Sequence, residues 1–147
     1  FGKAIANGHP LAALVGTDSL KEAAESVYFT GTQFFSGPPM SAALATLNEL
    51  EKLDAPSLLI EYGKKLNSRL EKVASEKGYN LVASGISSMP YYRLEGVSFE
   101  THIKWIDECV KRGVYMLAYH NHFASLAHTD EDIDFIEAAA KQAFDNL

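Results

Sequence analysis

Lys3 is the first residue of the chain whose type suits covalent chemistry. It follows Gly2 and precedes a stretch of small residues at positions 4–8. A neutral lysine amine is both a nucleophile toward carbonyl carbon and a base toward protons. Most lysines are solvated surface charges instead. By its type and neighbours alone, Lys3 is therefore a weak candidate for a catalytic residue.

The turn at Gly31 and Thr32 is a candidate anion site. Its sequence is Thr-Gly-Thr over residues 30–32. Successive backbone N–H groups in a tight turn, together with a threonine hydroxyl, can hold a phosphate oxygen, and glycine permits the backbone conformations that such a turn needs. The same tripeptide also occurs in ordinary turns, so both interpretations stand.

The five histidines do not predict a metal site. His120 and His122 are two residues apart, so a strand would place them on one face, but no third ligand has a suitable spacing. His9 and His128 lie at positions typical of hydrogen-bonded turn or cap residues. No metal is therefore expected.

Arg69, Arg93 and Arg112 each carry the group that best matches a carboxylate, because a guanidinium forms two parallel hydrogen bonds with it. None is assigned this role. Arg69 and Arg112 fall in predicted surface helices, and Arg93 lies in a tyrosine-rich strand with no evident partner. Tyr91 and Tyr92 are interpreted as core and sheet-surface residues.

The first 40 residues differ in character from the rest of the chain. Glycine and proline are frequent in residues 1–40, which predicts loops with one strand and one short helix. The short apolar run 11–15 predicts the strand. Asp18 and Ser19 are then expected to cap a helix that reaches about Val27.

After these 40 residues, apolar side chains recur at helical spacing. Helices are predicted at 41–53 and 57–77, the second ending at Gly78. Residues 79–84 and 89–94 are rich in strand formers and predict two neighbouring strands.

A further helix and strand are predicted between Ser98 and residue 119. Ser98 can cap the helix, and Gly113 can end it before the apolar run 114–119, which predicts the strand. One face of this helix carries four apolar residues at helical spacing. They are Phe99, Ile103, Ile106 and Val110.

A terminal helix is predicted after Thr129, a good capping residue followed by three acids that the helix dipole favours. Its inner stripe is apolar: Ile133, Ile136, Ala140, Phe144 and Leu147. Residues from about 41 onward are thus expected to form one α+β unit of helices on a small sheet.

The composition is that of an ordinary globular protein. The chain has 147 residues, 47% hydrophobic and 22% charged, which is enough for one substantial core. Its net charge of −6 comes without a basic stripe, so no nucleic acid and no membrane is predicted as a partner. The single cysteine, Cys109, is expected to be a buried inert thiol, which fits a reducing cytoplasm.

Two motifs in order resemble one enzyme family. Residues 1–16, FGKAIANGHPLAALVG, closely resemble the segment of class III aminotransferases that contains their Schiff-base lysine. Residues 125–134, SLAHTDEDID, resemble the closing motif of glutamate-1-semialdehyde aminomutase and its aminotransferase relatives. The turn at 30–32 between them is similar to the family's phosphate-contacting turn. The chain is therefore similar to the C-terminal part of such an enzyme.

The resemblance implies an α/β fold, the C-terminal part of a fold-type I transferase that depends on pyridoxal 5'-phosphate (PLP). Residues 1–40 would be the tail of the PLP-binding large domain, and residues 41–147 a small C-terminal α+β domain. The implied activity moves an amino group between an amino donor and an oxo or aldehyde acceptor. Lys3 would form the aldimine with PLP and, once freed, would act as the base at the substrate α-carbon.

The resemblance also implies a homodimer, because in the related family the turn equivalent to Gly31 and Thr32 contacts the cofactor of the neighbouring subunit. His120 lies about where the aminomutase carries an acidic residue, and it is interpreted either as a substrate-pocket residue or as an ordinary loop histidine. This change, and the longer turn after Thr32, favour an aminotransferase over an aminomutase.

Two alternatives stay open. An aminomutase-type isomerase would share Lys3, and a non-catalytic α+β module would dimerise through its helices. In the family, the aspartate on the pyridine nitrogen, the ring-stacking aromatic and the first phosphate loop all precede the lysine. These 147 residues are therefore expected to be part of a longer enzyme and to be inactive by themselves.

Overall fold

A computed structural model describes residues 1–32 and 34–147. Their contacts fall into two compact units, Phe1–Ala55 and Pro56–Leu147. The expected division near residue 40 concerns the domains of a longer enzyme, so this grouping of contacts does not test it. That division stays a prediction.

The first unit contains short helical turns followed by a long helix. They are 3₁₀ turns at Lys3–Ala6 and Asp18–Leu20, helix α1 at Lys21–Glu25 and helix α2 at Gly37–Lys52. The predicted short helix is confirmed, but the prediction that Asp18 and Ser19 cap it is wrong. Asp18 and Ser19 are taken up in the 3₁₀ turn, where the Ser19 hydroxyl is hydrogen-bonded to that of Thr17 at 2.8 Å.

The strand predicted at residues 11–15 is wrong. The segment has no regular structure, and Leu14 is 87% exposed. Phe1 and Ala13 exchange two backbone hydrogen bonds of 2.7 and 2.8 Å, the pattern of one antiparallel residue pair. A single pair is not a ladder, so the apolar run lies extended without forming a strand.

Helix α2 begins at Gly37, earlier than the predicted residue 41, because proline is accepted in a first turn whose N–H groups have no helical partner. Pro39 and Ala43 are its buried residues, whereas Leu44 is 63% exposed. The leucine spacing therefore predicted the helix correctly, although the leucine face is not the buried face.

In the second unit, helices α3 (Ala55–Glu76) and α4 (Phe99–Lys111) end at the predicted glycines. Gly78 and Gly113 have φ angles of +79° and +89°, which glycine adopts without a Cβ penalty. The residue after each glycine donates its N–H to the carbonyl five residues back, at 2.9 and 3.1 Å. This is the Schellman arrangement, which satisfies carbonyls that the helix end leaves free.

Strands β1 (Asn80–Ser84) and β2 (Tyr91–Glu95) confirm the predicted neighbouring pair. They are antiparallel, with Leu81 opposite Leu94. Both leucines are buried, so one face of the hairpin packs on the core.

Residues 114–119 do not form the predicted strand, because they join no sheet, but their side chains alternate between more and less buried positions as those of a strand do. Val114, Met116 and Ala118 are more buried than the intervening Tyr115 and Leu117. An extended chain alternates its side chains with or without a neighbour. In the described part of the chain, the sheet contains β1 and β2, and this segment does not join it.

Helix α4 confirms the Ser98 cap, whose hydroxyl accepts the Thr101 N–H at 3.1 Å. Its buried face differs in part from the predicted one, because Ile106 is buried as predicted but Phe99 and Val110 are 38% and 39% exposed. The buried residues are His102, Trp105, Ile106 and Cys109. Trp105, the largest of them, stacks on Phe144 at 5.2 Å between ring centroids and so turns the helix toward the core.

Cys109 confirms the expectation of a buried thiol. It is 1% exposed and unpaired. Burial raises the pKa of its thiol to about 12, so the thiolate that would react is scarce at neutral pH.

Helix α5 (Asp130–Phe144) confirms the predicted terminal helix. Thr129 and Asp132 form a reciprocal capping box, and Ile133, Ala140 and Phe144 of the predicted stripe are buried. Arg69 of α3 forms ion pairs with Asp134, at 2.6 Å, and Glu137 of α5. Packing and ion pairs thus join the helices of the second unit.

Candidate functional site

Lys3 lies in the 3₁₀ turn with its backbone in the left-handed region, at φ 53°. A residue with a Cβ loses about 1 kcal/mol or more there, and such conformations gather at functional sites. The side chain is exposed and forms no ion pair with the described residues. Its amine is thus free to meet a ligand.

The segment around Lys3 is held at both ends. The backbone bonds between Phe1 and Ala13 fix one side of it. On the other side, Ala6 is fully buried and Asn7, at φ 44°, ends the turn by donating its N–H to Ala4 O at 3.1 Å. The unusual backbone of Lys3 is therefore imposed by its surroundings.

Gly31 and Thr32 line a cleft of about 570 Å³ in the first unit. We call it the aromatic cleft, because Phe29, Phe34 and Phe35 also line it and pack edge to face at 5.3 and 5.7 Å between centroids. The Phe34 N–H donates to Gly31 O at 3.1 Å, which closes the turn. A Cβ on Gly31 would lie 3.4 Å from the Phe34 ring.

A Cβ on Gly31 would make ordinary van der Waals contact with the Phe34 ring, and the φ angle of position 31 lies outside the left-handed region, so neither feature requires glycine there. Thr32 is exposed beside Gly31. Of the three predicted site residues, the structure brings Gly31 and Thr32 together on one cleft. Lys3 is not among the residues that line it.

A second cleft, of about 440 Å³, lies in the Pro56–Leu147 unit. We call it the apolar cleft. Tyr62, Leu66 and Leu70 of α3 form one wall, with Val114 to Leu117 and the 120–124 loop among the other lining residues. Sequence analysis did not find this site, because Tyr62, Leu66 and Leu70 have the spacing of an ordinary core stripe.

Three histidines line the apolar cleft: His120, His122 and His128. His128 confirms the expectation of a turn residue, because its Nδ1 accepts the Ser125 N–H at 3.1 Å. It also stacks on Tyr62 at 5.4 Å between centroids. His120 is exposed, so both interpretations of it stay open.

His122 is mostly buried, and burial lowers its pKa below the usual 6.5. Its Nε2 accepts the Leu117 N–H at 3.2 Å. Nε2 therefore carries no proton, and the neutral ring holds its proton on Nδ1.

The three arginines each contact another side chain of the second unit. Arg69 pairs with acids of α5, and Arg112 pairs with Glu108 at 2.6 Å. Arg93 lies over the Phe99 ring, 5.1 Å from its centroid, which is a cation–π contact. Tyr92 is buried in the core as expected, and its hydroxyl donates to Asn67 Oδ1 at 2.6 Å.

Metal clusters and membrane-spanning helices are both absent from the described residues, 1–32 and 34–147. No group of three or more histidine, cysteine or acidic side chains in these ranges is arranged to hold a metal ion. Within the same residues, no helix has both the length and the apolar character needed to cross a membrane.

Known proteins that resemble this chain include an aminotransferase and an aminomutase. Over 98% of its own length, the chain is 35% identical to the aminopentol aminotransferase of Sphingopyxis macrogoltabida. Over its own full length, it is 29% identical to the glutamate-1-semialdehyde 2,1-aminomutase of Pyrobaculum islandicum. It covers 34% and 38% of these two proteins. The chain thus spans about a third of the length of the curated relatives it matches. No family model matches it.

A solved structure supports the same relationship. The PLP internal aldimine form of the FumI protein of Sphingopyxis sp. MTA144 superposes with a TM-score of 0.93 at 35% identity. The superposition covers 99% of this chain and 35% of that protein.

Proposed function

The chain is related in sequence and fold to the C-terminal part of class III, fold-type I PLP-dependent aminotransferases, and from this relationship we propose that the whole protein is such an aminotransferase. It moves an amino group between a small-molecule amino donor and an oxo or aldehyde acceptor. The observation that carries this proposal is the TM-score of 0.93, at 35% identity, with a PLP-containing protein.

Lys3 is the proposed catalytic residue. Its exposed, unpaired amine and its imposed left-handed backbone fit a group that must reach the cofactor aldehyde. When bound, PLP supplies an electron sink for negative charge at the substrate α-carbon. Once freed from the cofactor, the Lys3 Nζ would move the proton between that carbon and the cofactor's C4′ carbon.

Gly31 and Thr32 are the proposed cofactor-binding residues. Thr32 is exposed at the aromatic cleft, and the Gly31 carbonyl closes the adjacent turn by accepting the Phe34 N–H at 3.1 Å. These features suit a turn that receives a phosphate oxygen. By the family resemblance, that phosphate belongs to the neighbouring subunit of a homodimer.

The proposed compartment is the cytoplasm. Its support is the single cysteine, Cys109, which is buried and unpaired. A single cysteine cannot form a disulfide within these 147 residues, which is common in chains from a reducing compartment.

Borohydride trapping tests the role of Lys3. A chain extended to the length of its relatives would be mixed with PLP, reduced with borohydride and mapped by peptide mass spectrometry. We expect the reduced cofactor on the peptide that carries Lys3 and, for Lys3→Ala, a loss of transaminase activity of at least about 100-fold.

Lys21→Ala is the matched control, because Lys21 is also an exposed lysine of the first unit. It should keep both the adduct and the activity. An adduct that survives Lys3→Ala unchanged, or a wild-type chain that gives no adduct at Lys3, would contradict the proposal.

An aminomutase is the second candidate, supported by the aminomutase relative at 29% identity. The two activities differ in their products. An aminotransferase leaves the amino group on a second molecule, whereas an aminomutase returns it to the carbon skeleton it came from. Product analysis of the extended chain with an amino donor and a separate oxo acceptor separates them.

A further inference from the structure

The apolar cleft lies wholly within the Pro56–Leu147 unit, and its lining does not include Lys3, Gly31 or Thr32, the residues proposed to bind the cofactor. Tyr62, Leu66 and Leu70 are four residues apart on α3 and therefore share one face of that helix. The cleft volume of about 440 Å³ is in the range of small-molecule sites.

The lining of the apolar cleft contains no aspartate, glutamate, lysine or arginine among the described residues. Its polar groups are tyrosine, asparagine, serine and histidine side chains. The largest effect on the His122 pKa is burial, which lowers it and keeps the ring neutral at neutral pH. A charged ligand would lose its hydration here without gaining an opposite charge, so the cleft favours neutral molecules.

Several of these polar groups are already used within the protein. Asn67 donates to Ser87 O at 3.4 Å and accepts from the Tyr92 hydroxyl at 2.6 Å. His128 Nδ1 and His122 Nε2 each accept a backbone N–H. These hydrogen bonds hold the cleft walls in place and leave the bonded atoms little capacity to bind a ligand.

Two buried polar atoms at the cleft have no hydrogen-bond partner among the described residues: His122 Nδ1 and the Tyr62 hydroxyl. Burial, and then the nearby Asp132 and Asp130, raise the pKa of this phenol, so it carries its proton. A buried donor without an acceptor is unfavourable, and a ligand oxygen would relieve it.

We propose that the apolar cleft binds a neutral, mostly hydrocarbon molecule that carries a hydroxyl or carbonyl oxygen. The oxygen accepts the Tyr62 hydrogen bond. The hydrocarbon part lies along Leu66 and Leu70 and against Met116 and Ile136, which also line the cleft.

Octanol and octanoate are suitable probes, because they share a chain length and differ in charge. Each would be titrated into the isotope-labelled chain extended to the length of its relatives, with methyl chemical shifts followed by NMR. We expect octanol to cause saturable shifts at Leu66, Leu70 and Met116, and octanoate to bind at least about tenfold more weakly.

Two variants test the details. Tyr62→Phe keeps the ring and removes the hydroxyl, so it should weaken octanol binding by about fivefold. Leu66→Phe should block the cleft. Its control is Leu58→Phe on the same helix, because Leu58 is 46% exposed and lies outside the cleft, and this variant should bind octanol normally.

Three outcomes would overturn the proposal. The first is no saturable shift with octanol, and the second is equal binding of octanoate. The third is concentration-dependent self-association of the unliganded chain that shifts the same residues, which would mean that a second copy covers the cleft. Tyr62→Phe keeps the test decisive if Leu66→Phe does not fold.

Discussion

At the scale of single residues, Gly63 shows how tertiary contact can reverse a local preference. It lies inside α3, where alanine would be favoured by about 1 kcal/mol. A Cβ at this position would lie 2.0 Å from Ser87 O, in the loop between β1 and β2. That loop is itself tied to α3, since the Ser87 hydroxyl donates to Ile60 O at 3.2 Å.

We therefore expect Gly63→Ala to lower the free energy of unfolding by about 3 kcal/mol, because backbone must move to admit the methyl group. Urea denaturation measures this change. Gly37→Ala is the control, since a methyl group on Gly37, in the first turn of α2, would have no neighbour within 4 Å. A more stable Gly63→Ala variant would show that the loop does not press on the helix.

At the scale of elements, the start of α5 depends on the capping box. The Thr129 hydroxyl accepts the Asp132 N–H at 3.4 Å, and the Asp132 carboxylate accepts the Thr129 N–H at 2.7 Å. The Thr129 N–H, followed by the Thr129 hydroxyl, lowers the pKa of Asp132. The cap and the charge at the helix N-terminus thus support each other.

Thr129→Ala should lower the free energy of unfolding by about 1 kcal/mol, since it removes the hydroxyl half of the box. Thr129→Ser keeps a hydroxyl and should cost much less. Both values come from urea denaturation near neutral pH. Equal losses for the two variants would assign the effect to the threonine methyl group rather than to the cap.

At the scale of the whole molecule, buried histidines link stability to pH. His102 is fully buried; burial and then Arg93 lower its pKa below 6.5, and the nearby His122 adds a smaller effect in the same direction. The pKa of His122 is also lowered, mainly by burial. As pH falls below about 6.5, the unfolded chain binds protons that the folded chain does not, so the folded state loses stability.

We expect the free energy of unfolding to fall between about pH 7 and pH 5, by up to about 1.4 kcal/mol per pH unit for each histidine. The acids with lowered pKa values, Glu108 and Asp132, act only at lower pH. His102→Gln should flatten the slope, and His9→Gln, at an exposed position, should leave it unchanged. An unchanged slope in His102→Gln would contradict this account.

The sequence by itself determined where α4 and α5 begin and where α3 and α4 end. Ser98, Thr129, Gly78 and Gly113 act through their own backbone and side chains within one helical turn, so their effect is readable without the rest of the fold. The β1–β2 pair was likewise predictable, because the strands are neighbours in sequence. The same local reasoning reached the Thr-Gly-Thr turn as a candidate, though not the cleft around it.

Only the tertiary structure decided which surfaces are buried and which extended runs become strands. The run 114–119 has the alternation of a strand, but a ladder needs a partner that local sequence cannot supply. His102 rather than Phe99 faces the core because Trp105 stacks on Phe144, which lies far along the chain in α5. The apolar cleft was hidden for the same reason: its walls come from segments far apart in sequence, and burial depends on what packs against a face, not on its periodicity.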